Sequence, residues 1–365
     1  MKLVSPILKK IVYPSLAKTG CFRGLAPAGL AVVTYHGVLP QGYGRIDPDL
    51  DGSLITADTL RRQLRLLKAK YTVISPEEML LWCQKKLVLP PRAVLLTCDD
   101  GLVNNLTDML PVLEEEGVRC LFFVTGASAN EGTATLWYED LFLLLHRARA
   151  GSFKISSGKL EISGTLAGRA PRRALWWDLV KQLSRVGAES RKAFLEAARI
   201  RLRTGDSDAL FPANNLPSQR RFWLLNRSEL KQLESAGMTI GAHSMSHPLL
   251  SHLPPELARA EMTESRACLE AVLGERVWAF AYPFGDAASV TPEILVMAKD
   301  AGYSAAFLNC GGGLGTELPP FAIPRVHVSA GMGVAELEAH VAGFYSSLQR
   351  HAGRNSRDLL RLAEG

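Results

Sequence analysis

The chain has 365 residues, of which 47% are hydrophobic and 21% charged, proportions that exclude a disordered or fibrous chain. This length suits one large domain, or one domain with an insertion. The net charge of +6 suits an anionic glycan, a phosphate-bearing lipid carrier or a membrane surface. Because no nucleic-acid-binding motif accompanies this charge, we expect no nucleic-acid partner.

The N-terminal residues and the cysteines bear on the compartment. The six cysteines are scattered without Cys-x-x-Cys spacing, which is typical of free thiols in a reducing compartment. The apolar runs, broken by Lys9, Lys10 and Pro14, are too short for a signal peptide, and none approaches a membrane span. We therefore predict a cytoplasmic protein. Residues 1–27 form an amphipathic segment that predicts either a peripheral anchor on the inner membrane face or a helix docked on the domain.

Strand and helix patterns alternate along most of the chain. The predicted strands cover residues 29–38, 71–74, 93–98, 120–124, 238–242, 277–282, 303–308 and 323–328. The predicted helices cover residues 56–70, 104–116, 229–236, 255–273, 291–302, 334–345 and 357–363, with one more beginning at 75–76. This alternation predicts a parallel α/β barrel or wound sheet, with its site at the carboxyl ends of the strands.

Residues 127–225 interrupt the alternation. They predict a helix from Trp137 through His146, a short strand pair around residues 152–166, and two helices near residues 171–204. We interpret this mainly helical segment as an insertion that either forms a lid over the site or only packs against the barrel, without a role at the site. The barrel then comprises residues 28–126 and 226–330, and residues 331–365 form terminal helices.

Two polar motifs stand where predicted strands end. Asp99 and Asp100 follow a buried strand, and two neighbouring buried carboxylates need a metal, a cation or hydrogen bonds. His243 and His247 follow another strand, and on a helical turn two histidines four apart can bind one cation. Two histidines and one carboxylate would leave positions open for water or substrate, which is typical of a catalytic metal site.

A third motif, AYPFG at residues 281–285, ends a further short strand. In this order, TCDDG at residues 97–101, HSMSHP at residues 243–248 and AYPFG resemble the NodB-homology polysaccharide deacetylases, carbohydrate esterase family 4. The resemblance covers residues 28–126 and 226–328. It implies a distorted (β/α) barrel and a metal-dependent hydrolase that removes N-acetyl groups from amino sugars in a polysaccharide, glycolipid or lipid-linked glycan precursor of the cell envelope.

The resemblance also implies roles for single residues. Asp100, His243 and His247 would bind the divalent metal, which we expect to be zinc, with cobalt, manganese and nickel as alternatives. Asp99 would be the general base, and the backbone N–H of Tyr282 would stabilise the oxyanion.

The chain departs from the family pattern at two places. Many members carry an arginine in the third motif, where this chain has Ala281, so we expect Arg325 on the last strand to pair with the base. The family's general acid is a histidine in a late Leu-x-His motif, and the nearest candidate here is His327. The residues expected to contact substrate are His36, Pro283 and Trp137; His36 equally suits a structural hydrogen bond.

Two other functions remain open on the sequence. A deformylase or other amidase acting on a lipid-linked sugar would use the same centre. A non-catalytic glycan-binding relative would keep the fold without the reaction. The expected partner is an N-acetylated glycan or a lipid-linked sugar.

Overall fold

The structure is a computed structural model that describes residues 6–22, 29–48, 50–202, 215–286, 289–310 and 318–344. The predicted helix at residues 357–363 lies outside the described residues, as do residues 1–5 of the N-terminal segment.

The predicted strands assemble into one eight-stranded sheet in which every pairing is parallel. Its strands are β1 Ala31–Tyr35, β2 Thr72–Ile74, β3 Ala93–Cys98, β4 Leu121–Val124, β7 Thr239–Ala242, β8 Ala279–Ala281, β9 Ala305–Phe307 and β10 Val326–His327. The order is β10-β1-β3-β4-β7-β8-β9, and β2 pairs with the first half of β3. A parallel bridge from Phe307 to Ile323 brings β9 to the segment that leads into β10. The sheet therefore curls into the distorted (β/α) barrel that the sequence predicts.

Helices connect the strands and cover the outside of the barrel. Outside the insertion they are α1 Tyr13–Lys18, α2 Ala57–Lys70, α3 Pro76–Cys83, α4 Leu110–Glu116, α9 Arg227–Ser235, α10 Pro255–Leu273, α11 Pro292–Asp300 and α12 Val334–Val341. Ser75 and Glu78 form a capping box at the start of α3, which explains why the chain turns helical at that point.

One predicted helix is interrupted. Residues 104–116 contain a π-helical turn, Asn105–Met109, before α4 begins. Pro111 has no N–H to donate, and in a regular α-helix its ring would clash with the carbonyl group four residues earlier. The turn widens instead, and the N–H of Leu110 bonds to the carbonyl of Asn105, five residues back.

Alternate side chains of the strands belong to two different cores. Val33, Leu96 and Phe122 pack outward against the helices. Leu95 and Phe123 point the other way, and fill the inside of the barrel together with Trp278 and Phe307. Because side chains alternate along a strand, Thr97 and Asp99 continue the inward-facing set of Leu95 to the end of β3.

Residues 127–225, which we interpret from the sequence as an insertion, supply most of a third hydrophobic core, to which Leu50 and Leu249 also belong. The insertion contains α5 Trp137–Arg147, the antiparallel pair β5 Gly151–Ser157 and β6 Leu160–Leu166, and the helices α6 Arg169–Leu183, α7 Ala188–Leu202 and α8 Leu216–Phe222. The sequence did not predict α8. Leu144, Val180 and Phe194 are among the buried residues that hold these elements together.

The N-terminal segment docks on the barrel through one of its faces. Tyr13 and Phe22 are buried against α12 and contact the ring of Phe344. Ile7 and Ile11 face away from the protein, with 63% and 60% of their surface exposed. Within the described residues, none of the helices has both the length and the apolar character needed to cross a bilayer.

Candidate active site

The three sequence motifs converge at the carboxyl ends of β3, β7 and β8. Asp100 and Gly101 both have left-handed backbone angles, with φ of +77° and +71°, so the chain turns sharply as it leaves β3. A Cβ atom on Gly101 would lie 2.9 Å from the side chain of Val124, so only glycine fits this turn. The turn keeps both carboxylates, Asp99 and Asp100, at the end of the strand.

Asp100, His243 and His247 form a compact buried cluster. One carboxylate oxygen of Asp100 lies 3.4 Å from Nε2 of His247 and 3.7 Å from Nε2 of His243. One donor atom from each residue lies within 4.8 Å of the others, which is close enough to hold one metal ion.

The two histidines reach this cluster from a loop. We expected His243 and His247 on a helical turn, and the structure corrects this expectation. Ser244 and His247 have φ of +59° and +55°, which a right-handed helix does not allow. A hydrogen bond from the N–H of His247 to Oγ of Ser244 closes the loop and turns both imidazoles toward Asp100.

His243 presents its free nitrogen to the cluster. Its Nδ1 lies 2.7 Å from the carbonyl oxygen of Ala281, which can only accept a hydrogen bond. The proton therefore sits on Nδ1, and the lone pair of Nε2 faces Asp100. Burial lowers the pKa of His243 to about 4, so the ring is neutral at physiological pH, as a metal ligand must be.

Asp99 is held by Arg325 through two hydrogen bonds. Nη1 and Nη2 of Arg325 lie 2.7 Å and 2.6 Å from the two carboxylate oxygens, and both side chains are buried. Arg325 also donates to the carbonyl of Leu308 at 2.9 Å and to Oγ1 of Thr97 at 3.2 Å. Arg325 therefore lies where the sequence places the partner of the expected base.

Hydrogen bonds and neighbouring side chains decide the charge of both carboxylates. Burial, the largest effect, would raise the pKa of Asp99, but the charge of Arg325, its hydrogen bonds and the neighbouring histidines together outweigh burial, and the pKa falls below its ordinary value. Burial also acts to raise the pKa of Asp100. The opposing effects are larger in sum and lower this pKa, and the largest of them is the hydrogen bond from His247. Both carboxylates are therefore ionised at neutral pH.

His327 and His36 lie side by side in the wall of the site. Their ring centres are 4.8 Å apart, and burial is the main cause that lowers the pKa of His327 to about 3. At neutral pH the ring of His327 is uncharged. The cationic form that a general acid would use is therefore strongly disfavoured.

The backbone of Tyr282 is already engaged. Its N–H donates to the carbonyl of Phe307 at 3.1 Å, as part of the pairing between neighbouring strands. Because a backbone amide has one hydrogen, the N–H of Tyr282 is not available to an oxyanion in this arrangement. The expected oxyanion contact from Tyr282 therefore lacks support from the geometry.

A cavity of about 210 Å³ opens over these groups. Its walls include His36, both carboxylates, both histidines of the loop and His327. Among the described residues that form the walls, neither Pro283 nor Trp137 occurs, although the sequence suggested substrate contacts from both. Trp137 is buried instead, and its indole N–H donates to the carbonyl of His247 at 3.0 Å.

Several residues of the cavity were missed at the level of sequence. The aromatic members are Tyr138, Trp176, Trp177 and Phe284, and the polar members are Ser53, Glu139, Arg221 and Asn309. Most of them come from the insertion. The adjacent tryptophans at residues 176–177 were a possible signal, since large aromatic side chains are enriched at binding sites.

An ion-pair network supports the insertion side of the cavity. Arg221 donates to Glu139 at 2.8 Å and to Asp51 at 2.8 Å, and all three side chains are buried. Burial raises the pKa of Glu139 to about 7, although the charge of Arg221 opposes that rise. Arg221 thereby joins the insertion to the loop that precedes α2.

Comparisons with known proteins agree with this fold. The structure resembles that of the deacetylase PplD of Streptococcus pyogenes, solved in complex with acetate, with a TM-score of 0.54 and 15% identity over 87% of this chain and 99% of that chain. It also resembles IcaB of Ammonifex degensii, with a TM-score of 0.52 and 18% identity over 87% of this chain and 98% of that chain. At these identities the likeness shows the fold.

The sequence comparisons identify the family. YxkH of Bacillus subtilis (strain 168), whose name describes it as a polysaccharide deacetylase, is 25% identical over 117 residues, or 32% of this chain. That match spans 41% of the length of YxkH. The sequence model of the polysaccharide deacetylase family matches residues 86–190 and 210–306, more than half of the chain. The chain therefore belongs to the polysaccharide deacetylase family, as its three motifs predict.

Proposed function

We propose that the protein is a metal-dependent hydrolase that removes N-acetyl groups from amino sugars of a polysaccharide, glycolipid or lipid-linked glycan precursor. The observation that carries this proposal is the pairing of two buried centres at one cavity. Asp100, His243 and His247 offer a metal site, and Asp99 beside them is kept ionised by Arg325. Membership of the deacetylase family supports the same reaction.

The chemistry of the donors supports a divalent metal. Two imidazoles and one carboxylate suit zinc, which is our first choice, and also cobalt, manganese or nickel. When bound, such an ion would lower the pKa of water and polarise the acetamide carbonyl as a Lewis acid. The neutral His243, whose Nε2 lone pair faces Asp100, is ready to accept the ion without first losing a proton.

Asp99 is the proposed general base. Its lowered pKa keeps the carboxylate ionised and therefore free to accept a proton from the attacking water. The same low pKa makes protonated Asp99 a strong donor, so we propose that Asp99 then delivers this proton to the leaving amine. His327 is neutral at physiological pH and is the weaker candidate for that step.

The size and walls of the cavity favour a single sugar unit at the reacting centre. A volume of about 210 Å³ lies below the ~300–1,000 Å³ of pockets that enclose a drug-sized ligand. Trp177 and Phe284 lie 5.9 Å apart between ring centres, and Tyr138 lies 5.6 Å from Phe284. Such rings can pack against the apolar face of a sugar, and we propose that Trp177 does so.

We further propose that the protein works in the cytoplasm, at an anionic membrane surface where a lipid-linked sugar would be found. The six cysteines are free thiols, which fits a reducing compartment. Ile7 and Ile11 lie one helical turn apart on the exposed face of the N-terminal segment, next to Lys10. Apolar side chains flanked by lysine suit shallow insertion between anionic headgroups.

The reaction is tested by acetate release from N-acetylated glycans and lipid-linked sugars. We expect release to stop on chelation, to return with added zinc, and to fall by a factor of about 100 or more in Asp99→Asn and His243→Ala. His252→Ala is the control, because His252 lies outside the cluster and should retain full activity. Formate release instead would indicate a deformylase, and glycan binding without hydrolysis would indicate a non-catalytic relative.

Removal of Arg325 should destabilise the protein. Arg325→Met would leave the buried charge of Asp99 unpaired, and we expect it to lower the free energy of unfolding by about 3–5 kcal/mol in urea titrations at pH 7. The double variant Asp99→Asn/Arg325→Met should lose less, since no charge then remains buried alone. Equal losses in the two variants would contradict the proposed coupling.

Trp177→Ala should weaken substrate binding more than it slows the chemical step. We expect KM for the acetylated sugar to rise about tenfold while kcat changes little, because the ring contacts the sugar and not the reacting amide. Steady-state kinetics measures both constants. A large fall in kcat at unchanged KM would show that Trp177 acts on the reaction itself.

Membrane binding is tested by flotation with vesicles that contain an anionic phospholipid. The wild-type protein should float with the vesicles, and the variant Ile7→Ser/Ile11→Ser should not, because its exposed apolar face is lost. Val88→Ser is the matched control, since Val88 is also exposed, at 91%, but lies far along the chain from this segment. Absence of the wild-type protein from the floating fraction would refute the proposal.

A further inference from the structure

The loop that carries the two histidines has a backbone that needs support. Ser244 and His247 both adopt left-handed angles, and for residues other than glycine such conformations are energetically unfavourable. Such a conformation persists only where surrounding contacts hold it. The contacts around residues 243–250 therefore decide whether both imidazoles face Asp100.

Two of these contacts come from helices α5 and α6 of the insertion. The indole N–H of Trp137 in α5 donates to the carbonyl of His247 at 3.0 Å. Oγ of Ser184, at the end of α6, accepts from the N–H of Leu249 at 3.2 Å. Both contacts are buried, so water does not compete for them.

A third contact comes from helix α7 of the insertion. Arg191 donates to Oγ of Ser246, between the two histidines, and to the carbonyl of Val186. Only 2% of Arg191 is exposed, and its guanidinium lies 5.3 Å from the ring centre of Trp137. Glu261 of α10 completes the arrangement, because it accepts from the N–H of Ser246 at 2.7 Å and lies 3.5 Å from Arg191.

From these contacts we infer that the insertion holds the metal-binding loop in place, with Trp137 and Arg191 as positioning residues. Trp137 fixes the peptide of His247, and Arg191 fixes Ser246 and the ring of Trp137. The inference rests on the proposed metal centre, and it gives the insertion a function beyond the wall that it contributes to the cavity. Groups that orient metal ligands typically change metal affinity by a factor of 10 to 100 when they are mutated.

The test measures zinc binding to the metal-free protein by competition with a chromophoric chelator, without any glycan. Trp137→Phe keeps the ring and removes the N–H, and Arg191→Gln removes the charge and the fork of donors. We expect each variant to raise the Kd for zinc about tenfold or more. The double variant should bind zinc more weakly than either single variant. Its Kd should nevertheless rise by less than the product of the two single increases, because both residues act on one loop.

Arg199→Gln serves as the matched control. It removes a second arginine from α7, whose partners are Asp140 at 3.2 Å and Glu196. This control should keep the Kd for zinc within about twofold of the wild type.

Loss of folding is excluded by thermal unfolding of the metal-free variants. Ser246→Ala gives a second route that leaves the insertion unchanged. It removes the acceptor of Arg191 and also the hydrogen bond that Oγ of Ser246 donates to Glu261, so it should weaken zinc binding at least as much as Arg191→Gln does. Wild-type affinity in Trp137→Phe, Arg191→Gln and Ser246→Ala would overturn the inference while leaving the metal centre intact. Failure of the wild-type protein to bind zinc would instead overturn the proposed zinc centre.

Discussion

Two adjacent ionised carboxylates at the end of one buried strand each need partners that stabilise their charge. The arrangement of the site follows from which partners each carboxylate has. Asp99 meets Arg325, whereas Asp100 faces His243 and His247 at the same cavity. Neighbouring residues thus receive different chemical environments, because side chains alternate along β3 and the backbone turns sharply after it. Without these partners, burial of two like charges would cost several kcal/mol each.

The partners come from distant parts of the chain. Arg325 follows Asp99 by 226 residues, and they meet because β10 pairs with β1, which pairs with β3. Parallel strands bring their carboxyl ends to one rim, so residues from each strand can share one cavity. The bridge between Phe307 and Ile323 curls the sheet so that its last strand reaches this rim.

The insertion adds two things that the barrel lacks. Tyr138, Trp176 and Trp177 build an aromatic side of the cavity, against which the proposed sugar ring would pack. Trp137 and Arg191 lie behind that side and contact the histidine loop. A lid that only covered the site would not need buried hydrogen bonds to the loop that carries His243 and His247. The insertion therefore fits the supporting role that we infer for it.

The sequence by itself determined the family, the barrel and the residues that cluster at its rim, since motifs at strand ends converge in any parallel barrel. It also indicated Arg325 beside Asp99. Only the tertiary structure decided that the histidines lie on a loop with left-handed backbone angles and that the N–H of Tyr282 is used within the sheet. It also decided that Trp137 lies outside the cavity and donates a hydrogen bond to the backbone of His247. These features depend on backbone angles and long-range contacts, which residue spacing does not specify.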